Sequence, residues 1–146
     1  MVSLQDYEAY WEGIARRVPG IRQTAYVTVD QDMSKRISAL GRDESPVLFV
    51  VVPSASTEGR VVDALYERHV GIIFIMAKYD AQRGGSYACL KETQPLMEQV
   101  KALLLADSAM GCPVLGELDP GSLSTLPESD SFGMMAGWSL GFSFLR

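Results

Sequence analysis

Between residues 132 and 144 two kinds of side chain alternate almost without error. Phe132, Met134, Ala136, Trp138, Leu140, Phe142 and Phe144 fall on one parity and Gly133, Gly137, Ser139, Gly141 and Ser143 on the other, with Met135 the one large intruder. Successive side chains of a strand point to opposite faces, so the pattern predicts a long closing strand with one bulky apolar face and one nearly bare face. At the other end of the chain the period is helical. Leu4, Tyr7, Trp11, Ile14 and Val18 repeat at steps of three and four behind a Ser3 cap with Asp6 at the third helical position. Asp6, Glu8 and Glu12 come early and Arg16 and Arg17 late, which suits the helix dipole, and Pro19-Gly20 ends the run.

Between these two signals the pattern is more broken. Residues 24–29 alternate weakly and predict a short extended piece, after which Asp30 or Asp32 can cap a brief helix through Met33, Ile37 and Leu40, stopped by Gly41. Residues 46–52, PVLFVVV, form a continuous β-branched apolar run and predict a buried central strand ended by Pro53. A small polar loop is expected at 54–59. Val61, Val62, Leu65, Tyr66 and His69 fit a helix, yet they run directly into strand-like Val70, Ile72, Phe74 and Met76. The favoured reading is a long strand ending near Lys78, with 60–69 left open between helix and strand.

A loop is expected at Arg83-Gly84-Gly85-Ser86, and Thr93 with Pro95 in the first turn predicts a helix through Leu96, Met97, Val100, Leu103 and Leu104, closed by Gly111. Residues 114–118 predict a short strand, Asp119-Pro120-Gly121 a turn, and 122–130 a polar irregular stretch. The resulting order implies an α+β fold in a single domain over residues 1–146. Helices should pack on one face of a mostly antiparallel or mixed sheet of four to five strands.

Composition narrows the function classes. A chain of 146 residues can bury a substantial core, and 21% charged with 47% apolar residues is ordinary for a globular protein. The net charge of -5 and the lack of a basic cluster beyond Arg16-Arg17 and Lys35-Arg36 argue against specific nucleic-acid binding. No apolar run reaches membrane-spanning length and the N-terminal stretch MVSLQDYEAYWEG is acidic, so neither a membrane partner nor a secretory signal is expected, and the cytosol is the expected location. One alternating strand without siblings does not make an outer-membrane barrel.

Candidate chemistry is sparse. The single histidine, His69, has no nucleophile or carboxylate in a recognisable frame around it, which favours a structural role over a catalytic one. Cys89 and Cys112 read as reduced, partly buried thiols, and one His with two distant Cys is too little for zinc. Glu117, Asp119, Glu128 and Asp130 lack calcium-loop spacing and read as a solvated acidic region. The Gly84-Gly85 loop lacks both phosphate-loop spacings, and a flexible connection outweighs an anion site. No enzyme activity, cofactor or metal is therefore expected. Tyr7, Tyr10 and Trp11 crowd the first helix, where a surface aromatic would favour a protein partner.

The order of elements resembles the small tail-terminator or tail-completion proteins of tailed phages and prophages. The N-terminal helix, PVLFVVV, IIFIMAKYD, the helix around QPLMEQVKALLLAD and above all the closing GWSLGFSF carry the resemblance. It implies an α+β subunit without catalysis, forming a homo-oligomeric ring, commonly a hexamer, that docks on tail-tube or head–tail connector proteins. Such a protein would reside in the bacterial cytoplasm during assembly and then in the virion tail. Candidate interface residues are Trp11 on the first helix and Gly137, Ser139, Gly141 and Ser143 on the bare parity of the closing strand. Two rival readings are a small ligand-binding or enzymatic α+β domain, with a pocket near His69 and the Gly84-Gly85 loop, and an adaptor that binds one partner through its aromatic first helix.

Overall fold

A computed structural model describes residues 1–28, 35, 36, 39, 44–80, 82, 84–129 and 134–146. The first helix, α1 (Leu4–Arg17), forms as its pattern predicts: the Ser3 hydroxyl accepts from the Asp6 amide at 3.3 Å, and Tyr7, Trp11 and Ile14 are buried along one face. Strand β1 (Gln23–Val27) follows and pairs in parallel with β2 (Val47–Val51), while the brief helix expected at 30–41 lies outside the described residues apart from three positions. A short 3-10 turn at Val62–Ala64 leads into β4 (Tyr66–Lys78), which pairs antiparallel with β2 over Phe49↔Phe74 and its neighbours. The helical alternative for 60–69 is thus replaced by turn and then strand.

Residues 54–59 are a correction. They form strand β3 (Ser54–Glu58), paired antiparallel with the first half of β4, where a polar loop was expected. All but Glu58 of this strand are exposed. With neither face packed there is no apolar parity for a pattern to reveal, and the pairing comes from the length of β4. The second helix, α2 (Gly85–Ala109), likewise begins before Thr93, where it was expected to open with Pro95 in its first turn. Its buried stripe already starts at Cys89 and Thr93, and the Thr93 hydroxyl donates to the Cys89 carbonyl at 2.7 Å, so packing carries the helix through the one amide hydrogen that Pro95 lacks. Gly111 closes it as expected.

After α2, residues 113–115 are a turn where a strand was expected, and β5 (Glu117–Ser129) takes in both the Asp119-Pro120-Gly121 triplet and the stretch expected to be irregular. A break in register between Asp119 and Ser124 absorbs the triplet as a bulge. The closing strand, β6 (Met135–Leu145), lies between β4 and β5, giving the order β1-β2-β4-β6-β5 with β3 beside the far end of β4. The fold is α+β on one open mixed sheet. It has six strands among the described residues, more than expected because β3 was unforeseen.

The sheet has two unlike faces. On one, Leu48, Val50, Ile73, Ile75, Leu140, Phe142 and Phe144 pack with Tyr7, Trp11 and Ile14 of α1 and Met97, Val100 and Leu104 of α2. On the other, Val47, Phe49, Phe74, Met76 and Met135 form a second buried cluster with Ala25 and Val27. Apolar side chains from β2 therefore enter both clusters, which is why its sequence reads as an unbroken apolar run rather than an alternation.

Candidate assembly surface

Burial on the second face is confined to one end. Along β4 the exposure of the side chains on this face falls from 54% at Val70 to 8% at Phe74 and 0% at Met76. The same gradient runs along the bare parity of β6. Ser139 is 2% exposed and its hydroxyl donates to Glu128 at 2.9 Å, whereas Gly141 and Ser143, opposite Ile72 and Val70, are only half-buried. Beyond that line Tyr66 and Val70 stand in solvent beside Ser54, Ser56 and Ser143, while Leu126 on β5, opposite Ser139, is exposed at the border of the covered rows. At the extreme end Tyr66, Gly116, Glu117, Leu145 and Arg146 line an open cleft.

The opposite face of this same half is closed by the first helix. Trp11 packs tilted against Phe142 with ring centroids 5.8 Å apart, Tyr7 stacks on Phe144 at 6.4 Å, and the His69 ring lies over Phe144 at 4.7 Å, nearly parallel to it. His69 accepts a hydrogen bond from the Val2 amide at 3.1 Å, and burial holds it below its ordinary pKa against a smaller upward pull from Glu67. Burial also pushes the Tyr7 phenol up. The helix is fastened at its other end by Arg17, which pairs with Asp107 of α2; Tyr10 donates to the same carboxylate at 3.1 Å, and Arg17 holds Asp107 below the usual carboxylate range.

The five expected interface positions separate on this geometry. Trp11 is fully buried and faces the sheet, so it presents no surface to a partner; its indole is needed to fill the space above Phe142. Gly137 is also interior, because the backbone of Ile75 comes so close that a side chain would collide with the Ile75 carbonyl. Ser139 is covered by Glu128. Only Gly141 and Ser143 reach the uncovered half, and Val70 and Tyr66 join them there, residues that the sequence reading missed. They continue the parity of Phe74 and Met76, so the pattern placed them on that face but could not show where its cover ends.

The bulky parity of β6 behaves as its pattern implies. Leu140, Phe142 and Phe144 are in the core, and the Trp138 indole donates to the Leu90 carbonyl of α2 at 3.0 Å. The rival pocket does not assemble. His69 and the Gly84-Gly85 loop lie beyond opposite ends of a nine-residue run of β4, a separation of about 30 Å at the strand rise. The loop is occupied by its own contacts: the Gly85 amide donates to the Asp80 carbonyl at 3.1 Å and the Gln82 amide to the Asp80 carboxylate at 2.9 Å. Cys89 and Cys112 are free, the former raised in pKa by burial. Glu117, Asp119 and Glu128 are strung along β5, and no group of three metal-ligating side chains gathers among the described residues. Nor, among them, is any helix long and apolar enough to cross a membrane. No protein-family model matches the chain, and no curated protein is significantly similar to it.

Proposed function

We propose that the protein is a structural assembly subunit of a phage or prophage tail, of the tail-terminator or tail-completion type. It self-associates into a ring, with a hexamer the expected form, and docks through protein–protein contacts on tail-tube or head–tail connector proteins. The observation that carries this reading is the half-covered sheet: β4 and β6 run on past the second apolar cluster, and the strand extension is backed by α1 on one face and bare on the other. A surface that sets exposed Tyr66 and Val70 and the small residues Gly141 and Ser143 beside the Arg68–Glu58 ion pair, 2.9 Å apart, suits close approach by another protein, whose rim contacts are commonly polar.

Mass measurement of the native protein and negative-stain imaging test the reading directly. A closed ring of one defined subunit number, or retention on tail-tube subunits from the same genome, is the expected result. A strict monomer at high concentration that also fails to bind tail-tube subunits would overturn it.

A further inference from the structure

Two neighbouring groups of β4 hold the residues that precede α1. The Val2 amide donates to Nε2 of His69 at 3.1 Å, and the Met1 amine pairs with Oε2 of Glu67. The same two β4 atoms also face each other, Nε2 of His69 lying 3.8 Å from Oε2 of Glu67. Because Nε2 accepts, the imidazole carries its hydrogen on Nδ1, which is buried without a protein partner among the described residues. Ser3 separates this contact from the helix. Its hydroxyl accepts from the Asp6 amide and its carbonyl from the Tyr7 amide at 2.9 Å, so α1 is capped without help from Met1 or Val2. Met1 is exposed, whereas Val2 is buried in the core cluster beneath the helix.

We propose that Met1 and Val2 form a strap hinged at Ser3, latched by neutral His69 and released when His69 is protonated. A proton added to Nε2 turns the acceptor of the Val2 amide into a donor, so two N–H groups then point at each other. The acceptor within reach of the new donor is Oε2 of Glu67, the very oxygen that anchors Met1. One proton therefore removes the partner of Val2 outright and brings a second cation to the partner of Met1. A buried amide left without an acceptor is costly, whereas the released strap turns the same amide to water.

The remaining charges around the imidazole favour the same two states. Glu67 pulls towards protonation, while the Met1 amine and Arg146 oppose it in the closed form, and burial opposes it most, so the latch holds at neutral pH. On the α1 side Tyr7 stacks on Phe144, and burial pushes its phenol up, so it stays neutral throughout. Release carries the Met1 amine away and opens His69 to water, which relieves two of the influences that hold its pKa down; opening therefore takes up a proton. Met1 and Tyr66 line one cleft at this end of the sheet, and Tyr66 stands on the uncovered half, so the strap lies at the border of that surface and its release alters what the border presents.

Hydrogen exchange read residue by residue by NMR between pH 7.5 and 5.5 tests the latch, on protein whose intact mass confirms Met1. Exchange from an open state is base-catalysed, so an amide whose opening ignores protons slows about tenfold per pH unit as pH falls. Gly85, whose amide is held by the Asp80 carbonyl beyond the other end of β4, is the reference. Below pH about 6.5 the ratio of the Val2 rate to the Gly85 rate should climb by up to about tenfold per pH unit, because each opening takes up one proton. In His69→Gln, which accepts from Val2 but does not titrate, the ratio should stay constant. A constant ratio in the wild type, a ratio that climbs equally in His69→Gln, or a Val2 amide as fast as a free one at pH 7.5 overturns the latch. An Ile75 amide that exchanges at the Val2 rate overturns it too, since unfolding of the whole sheet would then be the proton-linked event. Should His69→Gln fail to fold, the wild-type rates of Val2, Gly85 and Ile75 decide alone.

Discussion

The Val2 amide donates to Nε2 of His69 at 3.1 Å, which fixes the imidazole as an acceptor at that nitrogen and so as the neutral form. Nδ1 of the ring has no protein partner among the described residues, and the side chain is 1% exposed. Glu67 lies 3.8 Å away and favours protonation, while the Met1 amine and Arg146 oppose it; burial is the largest influence and lowers the pKa. The unfolded chain therefore takes up a proton more readily than the folded one. Stability contributed by neutral His69 is complete above the ordinary histidine pKa of about 6.5 and is lost as pH falls from there through the lower folded value. Urea unfolding between pH 7.5 and 5, conditions chosen to stay above most carboxylate titration, should show declining stability in the wild type. His69→Gln, which keeps an acceptor for Val2 but does not titrate, should flatten the slope; an equal slope in both proteins would remove His69 as its source.

Trp11 offers a second test, because its burial decides between two uses of the first helix. A docking aromatic can be removed at little cost to the fold, whereas one that fills the space between α1 and Phe142 cannot. Trp11→Ala should lower unfolding free energy by about 3–5 kcal/mol, the usual range for a buried aromatic truncated to alanine. Denaturant titration followed by circular dichroism measures it. A loss under 1 kcal/mol with a lost binding partner would restore the adaptor reading.

The two ends of the chain were legible in the sequence because in each one face carries bulky apolar side chains and the other polar or small ones, the latter required in β6 where Gly137 meets the Ile75 backbone. Leu4 to Val18 shows a helical stripe for that reason, and Trp138 to Phe144 an alternation. The middle was not legible where that asymmetry fails. β3 has no packed face, so Ser54 to Glu58 gave no signal. In β5 the bulge at Asp119 and Ser124 breaks the alternation just where Pro120-Gly121 mimics a turn. Pro95 suggested a helix start because local propensity takes no account of the Cys89 and Thr93 contacts that carry α2 through it. The candidate surface was half legible for a related cause. Alternation separates the two faces of β6, but it cannot say how far along the strand the second face stays covered, which depends on where the cluster around Phe49, Phe74 and Met76 ends.

That division along β6 predicts opposite outcomes for two glycines of the same parity. At Gly137 an added methyl group meets the Ile75 backbone, which cannot yield without disturbing the β4–β6 ladder, while at Gly141 nothing lies within 4 Å. Gly137→Ala should destabilise by about 1–3 kcal/mol, as overpacked sites do. Gly141→Ala should be neutral or stabilise by up to about 1 kcal/mol, since alanine restricts the unfolded chain and is accommodated in the strand. Thermal melts of the pair would show it, and similar melting points for the two variants would contradict the division.

The same line separates stability from assembly for larger substitutions. Val70 on the uncovered half and Leu126 at its β5 border are 54% and 57% exposed on the same face, so Val70→Asp with Leu126→Asp should change the unfolding free energy of the subunit little, within about 0.5 kcal/mol for each site as is usual for exposed positions. If this half of the sheet is where subunits meet, each aspartate must be desolvated in the contact without a partner, a cost that weakens association strongly. Native mass measured across a concentration series should then move from the ring to smaller species, while the circular dichroism of the folded state stays with the wild type and the melting temperature falls only by the stabilisation that association adds. Phe74→Asp, two rows along from Val70 on the same face but 8% exposed, should instead unfold the protein. A ring that survives both surface aspartates at unchanged mass would place the subunit contacts elsewhere on the molecule and leave the bare face to the docking partner alone.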